Sequence, residues 1–175
     1  WISYLSGFFG YGYGAIDIWL YKSSFDVGKA SFDGVDSISI ADKKRPWSES
    51  IEYPSALQMR HLRSFLESFD WWHLVPVLHG NANYRDKSKG YAHAATSSRH
   101  VFYFYSHSTA TGTLRIAPYS MSSQQSASTA YTMQWYNPRN GEYLAPIKVE
   151  ENSDGWLTLP QRPDNADWVL VVTKK

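Results

Sequence analysis

The strongest constraint lies in the second half of the chain, where strand-like segments recur at short intervals. YAHAATS (91–97), HVFYFYSH (100–107), TLRIAPY (113–119), AYTMQWYNP (130–138), EYLAPIKVEE (142–151), GWLTLP (155–160) and DWVLVVTKK (167–175) are seven short strand candidates. Turn material separates them: Gly112, the Ser/Gln-rich SMSSQQSAST, NPRNG, NSDG and QRPDN. Strands this short and this evenly punctuated bury their apolar faces against a second sheet, so an all-β antiparallel sandwich is expected. NPRNG is the sharpest local signal. Pro138 presets the first turn residue and Gly141 supplies a positive φ, which places Trp135 and Tyr143 on paired strands.

The first half has a different period. Ser55 and Gln58 are spaced as a capping box behind Pro54, and Met59, Leu62, Phe65, Leu66 and Phe69 then mark one helical face. That helix is expected to stop near Asp70, before WWHLVP. Ile2, Leu5 and Phe9 suggest a short helix at the start. In between, GFFGYGYGAIDIW (7–19) sets Gly7, Gly10, Gly12 and Gly14 among aromatic residues. So many glycines weaken a helix, and the stretch reads as a buried strand and its exit. Residues 20–53 read as a long loop, of the length that tends to carry function. NANYRDKSKG (81–90) is a polar connector, so the expected units are 1–78 and 79–175. Two elements and a loop cannot close a sheet or cover a helix face. The opening WISYLSGFFG, apolar from Trp1 without a polar lead-in, is expected to be cut through a larger fold.

Several chemistries are disfavoured. The formal net charge of the 175 residues is +1, with basic residues scattered, so no footprint for nucleic acid appears. No apolar run reaches membrane-spanning length, and the absence of cysteine removes disulfides and thiolate sites. Gly10-x-Gly12-x-x-Ala15 fits a relaxed dinucleotide fingerprint, with Asp33 or Asp36 about 20 residues on, but a helix-like segment precedes it and a loop follows. His61, His73, His79, His93, His100 and His107 form no metal-ligand spacing, and no G-x-S-x-G elbow is present. No metal and no cofactor is expected. Asp17, Asp26, Asp33 and Asp36 supply no obvious acid–nucleophile pair on two rigid elements. The high aromatic content, eight Trp and thirteen Tyr, suits both pleated cores and sugar platforms. Tyr13, Trp19 and Trp47 are the rings to follow around the long loop, with simple core packing as the competing account.

At this level the residues resemble a known family. SYLSGFFGYGYGAIDIW followed by PSALQMRHLRSFLESFDWWHLVP is similar to the end of the catalytic domain of apiosidase-like glycoside hydrolases. The matching positions are Gly7, Gly10, Tyr13, Gly14, Trp19, Gln58, Met59, Leu62, Phe65, Trp72, Leu74 and Pro76. The second half resembles the module that follows that barrel, labelled collagen-binding. Its W-[FY]-[ND]-P-R-x-G turn is matched by Trp135 to Arg139 and Gly141, and its closing D-W-V-L-V by Asp167 to Val171.

The resemblance implies an α/β barrel remnant, the last helix–strand–helix elements of a TIM barrel, followed by the sandwich. It makes residues 1–9 a barrel helix and YGYG the eighth strand, with the glycines admitting a neighbouring strand. The loop after that strand would then lie on the catalytic face. It further implies a glycosidase acting on a complex, plant-type polysaccharide or oligosaccharide through two carboxylates that lie in an upstream barrel of the same polypeptide. No catalytic residue is assigned within this chain, which alone is expected to be inactive. Tyr13 and Trp19 would line the sugar site and Asp17 would orient it. The whole protein would be secreted or periplasmic. Tyr11 stands where the family carries His in G-H-x-Y-G, which removes any role of that His. The competing account is a non-catalytic sandwich that binds carbohydrate or matrix, or is purely structural. An exposed row of Tyr103, Tyr105 and Trp135 would support the glycan-binding form.

Overall fold

A computed structural model describes residues 1–8, 10, 12–14, 47–77, 84–85, 91–106, 112–114, 130–152 and 156–174. The helical elements are α1 (Ile2–Leu5), α2 (Trp47–Ser50), α3 (Pro54–Glu67) and a 3-10 turn (Trp71–His73). The strands are β1 (Val75–Pro76), β2 (Tyr84–Arg85), β3 (Tyr91–Ala95), β4 (Arg99–Phe104) and β5 (Thr113–Leu114). They continue as β6 (Ala130–Asn137), β7 (Glu142–Tyr143), β8 (Ile147–Glu150), β9 (Leu157–Thr158) and β10 (Trp168–Lys174). The chain divides into two compact units, Trp1–Tyr11 with His61–Lys175, and Gly12–Arg60.

All seven strand candidates carry strand, and every pairing among the described residues is antiparallel. The large sheet runs β1-β3-β4-β10-β6, and β6 is flanked at one end by β7 and at the other by β8. The small sheet runs β2-β5-β9. EYLAPIKVEE is split into β7 and β8 around Leu144–Ala145–Pro146, because proline has no N–H for a ladder. The NPRNG turn closes as expected: Gly141 has φ 79°, its N–H bonds the Asn137 carbonyl, and Tyr136 faces Tyr143 across the hairpin. Two strands were not foreseen. β2 lies inside the polar connector, and β1 is built from the VP of WWHLVP, pairing Val75 with Ala95.

Alternation along β4, β10 and β6 sorts side chains onto two faces. The inner face brings Phe102, Phe104, Tyr131, Met133, Trp135, Trp168, Leu170 and Val172 against Leu114, Leu157 and Leu159. This is the sandwich core. The outer face carries Val101, Tyr103, Val169, Val171 and Tyr136, which are buried as well. Trp1 stacks on Tyr103 at 6.0 Å and meets Phe65 at 4.9 Å, while Phe65 sits 4.8 Å from Tyr136. Arg99 lies over the Phe69 ring at 4.5 Å. The C-terminal half of α3, with Leu62, Phe65 and Leu66 buried, thus closes the outer face together with Trp1.

Three local expectations are corrected. The α3 helix starts at Pro54, with the Tyr53 carbonyl accepting from Ala56 and Leu57, so Ser55 sits inside the first turn and does not cap it. In α1 only Leu5 is buried, whereas Ile2 is 52% exposed; Phe9 lies outside the described residues. Gly10, Gly12, Tyr13 and Gly14 belong to no strand. A Cβ placed on Gly10 or Gly12 would meet no atom of the described residues within 4 Å, so no close neighbour among them requires a glycine there.

Candidate functional site

Of the three residues expected at a sugar site, Tyr13 is described, and Asp17 and Trp19 lie outside the described residues. Tyr13 belongs to the unit Gly12–Arg60, where its ring is 37% exposed and its hydroxyl shares a 2.7 Å hydrogen bond with Ser55 Oγ. That bond reaches across 42 residues to the first turn of α3. The phenol is therefore held at its polar tip while part of the residue stays exposed. In the same unit, α2 ends in turns closed by Glu52 N–H on the Glu49 carbonyl and Tyr53 N–H on the Ser50 carbonyl. Trp47 opens α2.

The motif residues of the second half have another use. Asn137 Oδ1 accepts from the Arg139 backbone N–H (3.0 Å) and from its Nε (2.8 Å). The Arg139 guanidinium also donates to Asp164 Oδ2 at 3.1 Å and lies over the Trp168 ring at 5.1 Å. Asp164 Oδ1 accepts from Trp168 Nε1 and from Ala166 N–H, both at 2.7 Å. The Trp168 bond, then that of Ala166, and the Arg139 contact hold the Asp164 carboxyl below the usual carboxylate range. Asp167 accepts from the Tyr103 hydroxyl and from Ser106 N–H, both at 2.8 Å. Burial, reinforced by that carboxylate, pushes the Tyr103 hydroxyl strongly upward, so it remains a donor. The turn and the closing strand thus form one clasp between the 137–141 hairpin and the 164–168 segment. Asp164, at a distance of 25 residues from Arg139, carried no signal in the sequence beyond its place ahead of the closing tryptophan.

The aromatic row expected of a glycan-binding sandwich does not exist. Tyr103 and Trp135 are 9% and 3% exposed, on opposite faces of the sheet, and only Tyr105 reaches solvent. Alternation sends neighbouring strand residues to opposite sides, and both sides are covered. Trp135 Nε1 is buried without a partner among the described residues. Also among the described residues, no three His, Asp or Glu side chains come together as a metal-ligand set. No helix among them is long and apolar enough to cross a membrane.

The class these features define is a two-sheet antiparallel sandwich whose large sheet is capped on its outer face by helix. Residues 80–173 match the family model described as "Putative collagen-binding domain of a collagenase", and, with more than half of its length matched, the chain belongs to that family. Residues 1–73 match the model "Apiosidase-like, catalytic domain". Among solved structures, the chain is similar to a "Glycoside hydrolase" at 17% identity and TM-score 0.65, over 98% of this chain and 34% of that one. It is also similar to a glycoside hydrolase family 5 protein from Bacteroides vulgatus ATCC 8482, at 18% identity and TM-score 0.67, with the same coverage. The chain spans about a third of the length of these structures. No curated protein matches.

Proposed function

We propose that this chain is the C-terminal part of a glycoside hydrolase that cleaves a complex, plant-type polysaccharide or oligosaccharide, with both catalytic carboxylates in an upstream barrel. The observation that carries the reading is the order of the two family matches, apiosidase-like over 1–73 and then the sandwich over 80–173. In this reading residues 1–78 are the closing elements of the barrel and 79–175 its accessory domain. Tyr13, Asp17 and Trp19 line a sugar subsite, with Tyr13 oriented through Ser55. The sandwich is a buttress, since its outer sheet face is already occupied by Trp1 and α3. The whole protein works outside the cytoplasm, where such polymers are met.

The chemistry assigns two carboxyl groups, one as acid and one as nucleophile or base, to flank the scissile bond; this chain contributes shape and stacking. The test is to express the full reading frame and the 175-residue chain side by side and follow release of reducing sugar from a panel of plant polysaccharides. Activity of the long form alone is expected. Hydrolysis by the 175-residue chain, or an upstream sequence lacking strand–helix repeats with acidic strand ends, overturns the proposal.

A further inference from the structure

β3 and β4 carry a histidine pair on the inner sheet face. His93 Nε2 and His100 Nδ1 are 3.2 Å apart, with ring centroids at 5.4 Å. That centroid distance leaves the rings nearly end to end, so a single N–H···N bond joins them. His93 is 7% exposed and stacks on Phe102 at 3.8 Å. The same strand holds the junction between the helical segment and the sandwich. On its other edge β3 pairs with β1, and Val77 N–H bonds the carbonyl of His93 itself at 2.9 Å.

Among the described residues, the surroundings of His100 offer little to stabilise a charge. From β3, His93 faces His100. From β10, Val172 is in register with His100, and Lys174 lies one step along the same face. From β6 come Met133 and then Tyr131, whose hydroxyl donates to Glu151 at 3.0 Å. On the same face β1 presents Val75, in register with Ala95, and the small sheet supplies Leu114 and Leu157 to the shared core. Arg99 is on the opposite face, over Phe69. Among the described residues, Lys174 is the charge nearest in register and repels a second cation; Glu151 is held at Tyr131.

We infer that the His93–His100 pair is an acid-sensitive clasp: a neutral His100 imidazole bonded to His93 holds β3 to β4, and protonation of His100 loosens the β1–β3 edge where the helical segment joins the sandwich. Burial supports this, lowering His100 from 6.5 to about 4. The unfolded chain then binds the proton first as pH falls. The clasp contributes fully above pH 6.5 and is lost progressively between there and about pH 4.

The test is urea unfolding of the full 175-residue chain and of His100→Gln, which retains hydrogen bonding without titrating. Between about pH 7 and about pH 4.5 the wild-type folding equilibrium is expected to fall roughly 50- to 100-fold more than that of the variant. Parallel acid slopes overturn the proposal. Two readouts on the wild type stand independently of the variant's folding. The His100 ring should stay neutral below pH 5 by NMR, and acid should reduce hydrogen-exchange protection at Val77 before it does so at Val171. A His100 midpoint near 6.5, or simultaneous loss of protection at both amides, overturns it equally.

Discussion

The two faces of the large sheet are both dry, but they are sealed by different means. On the inner face, Phe102, Leu170, Val172 and Met133 meet Leu114 and Leu157 of the small sheet and Leu159 just beyond it, a contact of apolar surface on apolar surface. On the outer face, Tyr103 and Tyr136 meet Trp1 and Phe65, and each tyrosine hydroxyl finds its own acceptor, Asp167 and the His61 carbonyl. Burial of hydrocarbon is non-directional and fixes that two layers adhere. Aromatic edges and hydrogen bonds fix how they adhere. The inner face therefore carries the sheet-on-sheet contact, with Trp135 edge-on to Phe104 and Trp168 inside it, and the outer face sets the register of the C-terminal half of α3 on the sheet.

The largest effect is expected at Phe102→Ala. Phe102 is 1% exposed at the centre of the inner layer, and losing the ring should cost about 4 kcal/mol, read by urea unfolding. Phe65→Ala removes the ring that contacts Trp1, Phe69, Tyr136 and Tyr143 and should cost about 3 kcal/mol, because the helix can settle towards the gap. Circular dichroism should show the sheet retained at low denaturant. If Phe65→Ala equals or exceeds Phe102→Ala, the outer face is as much a core as the inner one, and the contrast fails.

That difference also explains what the sequence made legible. The strands were readable because alternation and turn residues are local. Double burial of the sheet was legible too, in WVLVV (168–172): five apolar residues without a polar break mark a strand covered on both sides. The long-range acceptors were not legible. Ser55 looks like a helix cap until Tyr13 is seen bonded to it, and Asp164 and Asp167 serve partners 25 and 64 residues away. β1 and β2 were missed because two residues carry no period at all. At the candidate site, Tyr13 was singled out by its aromatic setting beside the long loop and by the family resemblance, whereas its bond to Ser55 needed the fold.

Gly141 sharpens the comparison from the hairpin side. Its φ of 79° already disfavours a side chain, and a Cβ would stand 2.5 Å from His61 Nδ1 on α3. Gly141→Ala should cost about 2 kcal/mol, part from the turn and part from displacing the imidazole. His61→Ala in the same background should recover the second part. A Gly141→Ala cost that is unchanged by His61→Ala would mean that the turn alone demands the glycine, and that the hairpin does not gauge the position of α3.

The smallest effect isolates one directional contact. The Tyr136 hydroxyl donates to the His61 carbonyl at 2.9 Å, on a ring that is 2% exposed. Tyr136→Phe keeps the ring against Phe65 and removes only that bond, so a loss of about 1 kcal/mol is expected. The sign of the alkaline response gives a second reading. Burial, with Tyr143 adding to it, pushes the Tyr136 hydroxyl up to about 12 from 10.0, so the fold holds a proton that the unfolded chain releases. The contribution of Tyr136 is intact below pH 10 and is lost as pH rises from there towards 12, and Tyr136→Phe should unfold less steeply over that interval. If the variant keeps the wild-type alkaline slope, the hydroxyl does not tie the sheet to α3, and the outer face is closed by ring contact alone.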